Sequence, residues 1–216
     1  MTKTEKLDEL FDRWVKEISE LAGKFHKDGI INESIYERQK TKLLFITKEP
    51  NDPNQTEGDF REWWSQSIKY SFSHRICEWA FGLQKGFPPV TELRYDNQER
   101  TAIMKSIAFM NLKKNGGAST ANHDVIKDTI LKQQRLILEE INVIEPDIII
   151  GGIGDIMFWK LLFPEIEFKD SGFDIKVARV DSLKLINFYH PSYQVPRAMT
   201  YCLLHSVFTS NIFTNL

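Results

Sequence analysis

Residues 42–53 read Lys42-Leu43-Leu44-Phe45-Ile46-Thr47-Lys48-Glu49-Pro50-Asn51-Asp52-Pro53. A short, uninterrupted apolar run cut off by charge and two prolines predicts a strand buried on both faces that opens into a loop. Shorter or interrupted apolar runs follow downstream. Ser106–Met110 runs into Asn111–Asn122, rich in Asn, Gly and Ser; Asp147–Ile150 meets Gly151; and Leu183–Phe188 meets Tyr189. Between the second and third of these runs, Ile126, Ile130, Ile137, Ile141 and Ile144 keep one apolar stripe, with Asn122 or Asp124 as cap and Pro146 beyond the end. Buried strands alternating with helices predict an α/β fold, specifically a three-layer α/β/α sandwich around a central, mainly parallel sheet.

The remaining segments extend this frame. Leu7, Leu10, Phe11, Trp14, Ile18, Leu21 and Phe25 predict an amphipathic helix over about Glu5–His26. Asp59 is placed to cap a helix reaching about Leu83, and Gly86, Pro88 and Pro89 break the chain after it. Gly151–Phe163 predicts a turn and a short helix, Phe173–Val180 an edge strand, and Arg197 to about Phe213 a closing helix. The length of 216 residues suits one domain, with residues 1–27 as an added N-terminal helix.

Composition narrows the function classes. Two cysteines, Cys77 and Cys202, are too few for a disulfide framework, a four-cysteine cluster or a Cys-rich zinc site, and they fit a reducing cytoplasm. No apolar run approaches the roughly 18 residues of a membrane span, and Glu5, Asp8, Glu9 and Asp12 stand where a signal peptide would be apolar. Net charge is −2, yet residues 103–123 carry three lysines and no acid, and residues 182–216 carry no Asp or Glu. Local basic surface is therefore compatible with a nucleic-acid partner despite the overall charge. His26, His74, His123 and His205 lack metal-ligand spacing, and no metal or cofactor is expected. A monomer is favoured.

In parallel sheets, ligands bind outside the C-terminal ends of the strands. That rule selects the loops Lys48–Asp59, Asn111–Asn122 and Tyr189–Pro196. They bring a carboxylate (Glu49), an amide (Asn111) and an imidazole (His190) to one predicted crevice.

A family resemblance attaches to these residues. Ile107-Ala108-Phe109-Met110-Asn111 followed by Gly117-Ala118-Ser119, and Leu185-Ile186-Asn187-Phe188-Tyr189-His190-Pro191-Ser192 with Arg197 beyond, resemble the uracil-DNA glycosylase superfamily over about Leu43–Arg197. The first motif departs from that pattern, with Thr47 where a glycine is usual. Counted back from Pro50, either Glu49 or Lys48 takes the acid's place. The resemblance implies a base-excision N-glycosylase acting on DNA that contains uracil or a related damaged base. Cleaving such a bond develops positive charge on the sugar and negative charge on the departing base. Glu49 would hold water and stabilise the cation, and a neutral His190 would donate a hydrogen bond to the base. Asn111 would read the base edge, accepting from N3–H of uracil and donating to O4. Asn51 and Phe60 would complete the base pocket, Phe60 as a stacking floor with Trp63 in reserve. Ser192, Arg197, Lys113 and Lys114 would contact phosphates, and Tyr193 or Val195 would fill the vacated stack. The alternative is a catalytically silent DNA- or nucleotide-binding module that keeps the pocket without the chemistry. Gly151-Gly152-Ile153-Gly154 does not complete a dinucleotide fingerprint, since Met157 stands where its third glycine would be, and it reads as a tight strand-to-helix turn.

Overall fold

A computed structural model describes residues 1–93 and 96–216. In chain order its main elements are α1 (Lys3–Glu17), β1 (His26–Lys27), β2 (Gly29–Ile30), α2 (Glu33–Tyr36), β3 (Leu43–Thr47), β4 (Gly58–Asp59), α3 (Phe60–Gln66), α4 (Ser71–Lys85) and α5 (Asn97–Met104). They continue with β5 (Ala108–Asn111), α6 (His123–Ile144), β6 (Ile148–Gly151), α7 (Ile156–Leu162), β7 (Phe168–Asp170), β8 (Lys176–Val180), β9 (Leu183–Asn187), α8 (Arg197–Phe208) and α9 (Asn211–Thr214).

Seven strands form one sheet in the order β2-β5-β3-β6-β9-β8-β7. The central four, β5, β3, β6 and β9, are mutually parallel, and the flanking β2, β8 and β7 pair antiparallel. The chain is therefore a mixed α/β protein with a mainly parallel central sheet. Strand pleating sends alternate residues to opposite faces. Leu44 and Ile46 of β3 join Ala108, Met110, Ile149 and Leu185 in a core completed by α1, α6 and α7. Leu43 and Phe45 join Phe109, Ile150, Ile186 and residues of α3, α4 and α8 in a second core. Every residue of β3 is buried, as its unbroken apolar run requires.

Several element boundaries differ from expectation for local reasons. The N-terminal helix ends at Glu17 rather than His26, because a 3-10 turn over Ser19–Leu21 and a left-handed Gly23 (φ 73°) reverse the chain. Phe25 stays buried through that turn, so it kept the helical apolar spacing without being helical. Asp59 does cap a helix, accepting from Arg61 N at 2.8 Å, but the helix stops at Gln66 and a new one starts at Ser71. The edge strand begins at Lys176 rather than Phe173 and gains the outer partner β7. The closing helix breaks at Thr209–Ser210, where the Ser210 hydroxyl accepts from Phe213 N and starts α9. Among the described residues no helix is long and apolar enough to cross a membrane.

Candidate functional site

The C-terminal ends of β3 and β5 lie side by side, with Thr47 paired to Asn111. Pairing runs on into the loops, since Leu112 N donates to Thr47 O at 3.0 Å and Lys113 N to Lys48 O at 2.9 Å. Farther out, Gly117 N donates to Pro50 O at 2.9 Å, and Asn51 bridges to Gly117. The loop after β3 is therefore zipped to the loop after β5. A second tie is the β1–β4 ladder, which pairs His26 with Gly58, while His26 Nε2 lies 3.3 Å from Asp52 Oδ2.

Glu49 is held inside this zipper. Its Oε2 accepts from Lys113 Nζ at 2.6 Å, and its side chain is only 7% exposed. Lys113 spends its other donors on the carbonyls of Asn115 and Gly116, at 3.1 and 2.8 Å. The carboxyl group lies flat on Gly117, where an added Cβ would sit 2.1 Å from its carbon. Lys113 is thus the partner of Glu49 and not the expected phosphate contact, because all three of its protons are taken at the base of the loop.

Lys114 is displaced still farther from the expected surface. Its side chain is fully buried, with Nζ 2.6 Å from Asp28 Oδ1 and 2.7 Å from Glu140 Oε2, and with the rings of Phe11 and Trp14 closing over it. Burial raises Glu140 well above the usual carboxylate range, with Lys114 acting against that shift. Asp28 also accepts from Asn111 N at 2.7 Å, fixing the backbone at the end of β5. No phosphate can reach Lys114.

The Asn111 side chain is 1% exposed. Its Oδ1 accepts from the Thr47 hydroxyl at 2.7 Å, while its Nδ2 is buried with no hydrogen-bond partner. Turning the amide over would only exchange the two atoms, so one of them is unsatisfied either way. Such a group costs ~1–3 kcal/mol unless a water or ligand meets it. Asn111 follows Phe109 by two residues and so shares its face of the sheet. On that face Phe60, Trp64 and Phe72 surround Phe109 at ring distances of 5.1, 4.6 and 5.8 Å. Phe60 is half-buried in this cluster, with Trp63 edge-on to it at 5.1 Å. Phe72, which the sequence did not single out, touches both Phe109 and, at 5.6 Å, the His190 ring.

His190 follows β9, which lies two strands from β3, or roughly 10 Å at the usual strand spacing. Its Nδ1 accepts from Ser192 N at 3.2 Å, so the neutral ring carries its proton on Nε2. Burial, aided by the charge of Lys48, lowers its pKa to about 4. His190 is therefore a neutral donor at pH 7. The loop can come this close to β6 because Gly152 has no side chain, and a Cβ there would lie 3.0 Å from Pro191 and 3.1 Å from His190. That close approach accounts for the glycines as a tight turn.

The outer residues divide. Ser192 and Tyr193 are exposed, and Asn51 is exposed beside the loop zipper. Val195 is half-buried, with its carbonyl accepting from Arg75. Arg197 turns inward, contrary to expectation, with Nε 2.7 Å from Glu78 and Nη2 donating to Val90 O at 3.1 Å. The buried Glu78 gathers Arg197, Arg100 and Arg75 between helices, which makes Arg197 a packing charge there. Local sequence gave no sign of Glu78, Asp28 or Thr47 as partners, whereas the two loops on which Lys113 and Glu49 meet were both singled out.

Two surface cavities, of about 340 and 380 Å³, lie elsewhere, one by Thr41, Asp147 and Phe213 and the other by Phe163, Glu165 and Asp181. Neither gathers the amide, imidazole and carboxylate found at the strand ends. No known family model matches the chain, and no curated protein matches it.

Proposed function

We propose that the chain is a single three-layer α/β/α unit that binds a nucleobase extruded from DNA and hydrolyses its N-glycosidic bond, uracil being the first substrate to test. The observation that supports this reading is the buried Asn111 amide, whose Nδ2 has no protein partner, at the same C-terminal end of the parallel strands as a neutral imidazole donor. A base placed there would meet Asn111 at its edge, the Phe72 and Phe60 rings at its face and His190 Nε2–H at the oxygen on which negative charge develops. Neutrality suits His190 to this role, because a hydrogen bond to a developing anion strengthens along the reaction without any prior loss of a proton. Glu49, on the neighbouring loop, would have to turn from Lys113 and Gly117 toward the sugar, where its charge would favour the cation and hold the attacking water. Asn111 is covered in the unbound protein, so entry of a base requires the surrounding side chains to part.

One observation favours a second reading, a silent DNA- or nucleotide-binding module. Lys113 already neutralises Glu49 at 2.6 Å, which weakens the field that Glu49 offers a sugar cation. The deciding assay incubates the purified protein, in excess and without added metal, with oligonucleotides containing uracil, hypoxanthine or thymine. Release of free uracil with an abasic product is expected, and Glu49→Gln should slow it by roughly a hundredfold or more while leaving oligonucleotide binding in place. Binding without release of any base would select the silent module. Equal release by parent and variant would remove Glu49 from the chemistry.

A further inference from the structure

Tyr189 and Tyr193 flank His190 on the loop after β9, and their rings stack with centroids 5.1 Å apart and planes only 8° from parallel. Both are exposed, 37% and 54% respectively. The edge of Phe188 supports Tyr189 at 5.4 Å from behind. The loop that carries the pair is fixed. Tyr193 N donates to His190 O at 2.8 Å, Val195 N donates to Tyr193 O at 3.0 Å, and Arg75 pins Val195 O at 3.1 Å. Pro191 and Pro196 restrict the backbone on either side.

A side chain that wedges into a duplex needs two open faces, because it is sandwiched between successive base pairs. Tyr193 has one face already covered by Tyr189, so it offers a single planar surface. Such a surface suits the π-face of one unpaired base, whatever its identity. The segment that carries the pair brings no carboxylate of its own to repel a phosphate backbone, since residues 182–216 contain no Asp or Glu. We propose that the Tyr189–Tyr193 pair is a preformed stacking platform for an unpaired base next to the one entering the site, which makes single-stranded DNA the preferred substrate class. This rests on the glycosylase reading for its location, but its own binding measurement does not need base release.

The test uses fluorescence anisotropy of the full chain with a labelled oligothymidine of about 15 nucleotides, free or annealed to its complement, both without a damaged base. The single strand should bind at least about tenfold more tightly than the duplex. Tyr193→Ala should weaken single-strand binding by roughly 5- to 150-fold, the usual range for losing one stacked base. Tyr193→Phe should restore it by keeping the plane, and Tyr193→Leu should not. Parent-like binding by both the Ala and Leu variants overturns the platform. So does duplex binding that equals or exceeds single-strand binding, and so does a failure to bind either probe. Uracil release is scored separately. Single-strand binding that depends on Tyr193, in a protein that releases no base, retains the platform and rejects the glycosylase. Unchanged single-strand binding by Tyr193→Ala in a protein that releases uracil does the reverse.

Discussion

His190 illustrates how a single residue's environment sets both its chemistry and its pH response. Its folded pKa of about 4 lies below the ordinary histidine value of 6.5, burial being the main cause. Between those values the unfolded chain takes up a proton that the native protein refuses, so stability falls as pH falls through this window. Above pH 6.5 the residue contributes its full share, and below about 4 the loss levels off. His190→Asn removes the effect. Urea unfolding of parent and variant at pH 7 and pH 4.5 should therefore show the parent losing ground to the variant at the lower pH. A constant difference between the two would mean that His190 titrates normally.

At the scale of elements, the site depends on two loops being closed against each other. Gly117 makes the closure possible, because the Glu49 carboxyl group occupies the space where any other residue would carry its Cβ. The obstructed atoms are the far end of a flexible side chain, so the backbone of Gly117→Ala should persist while Glu49 swings off Lys113. The expected outcome is a fall in uracil release approaching that of Glu49→Gln, with a loss of no more than about 1–3 kcal/mol in urea unfolding. Parent-like release by Gly117→Ala would show that the position of Glu49 is not what the loop contact protects.

For the whole molecule, the Asp28–Lys114–Glu140 cluster joins segments that are otherwise remote. Asp28 comes from the connector beside β2, Lys114 from the loop after β5 and Glu140 from α6, with Phe11 and Trp14 of α1 covering the ammonium group. The N-terminal helix is thus the roof of an ion cluster that also anchors the Asn111 backbone through Asp28. Burial shifts Glu140 toward its protonated form, so Glu140→Gln, which keeps the shape and removes the ionisable group, should cost clearly less than the loss of Lys114. Lys114→Met leaves the Asp28 charge buried and unpaired, and should cost about 3–5 kcal/mol. Comparable losses in the two variants, measured by urea unfolding, would show that Glu140 is charged in the native protein.

Local patterns in the sequence were enough for the strands β3, β5, β6 and β9, for α6 with its Asn122 cap, and for the three loops at the strand ends. Burial of β3, β5 and β6 is written as apolar runs, that of β9 only in Leu185 and Ile186 between Lys184 and Asn187, and caps and turns are written in neighbouring residues. The same patterns misplaced the end of α1 and fused α3 with α4, since buried residues keep a near-helical spacing through a 3-10 turn or a short break. Charge partners were decided only by the tertiary structure. Lys113 and Lys114 look like a solvated basic pair, but their carboxylates lie 64 and 86 residues away, at Glu49 and Asp28. Arg197 likewise pairs with Glu78, 119 residues away in the chain. A buried charge must find its counter-charge wherever the chain brings one within about 4 Å, and no spacing along the sequence encodes that meeting.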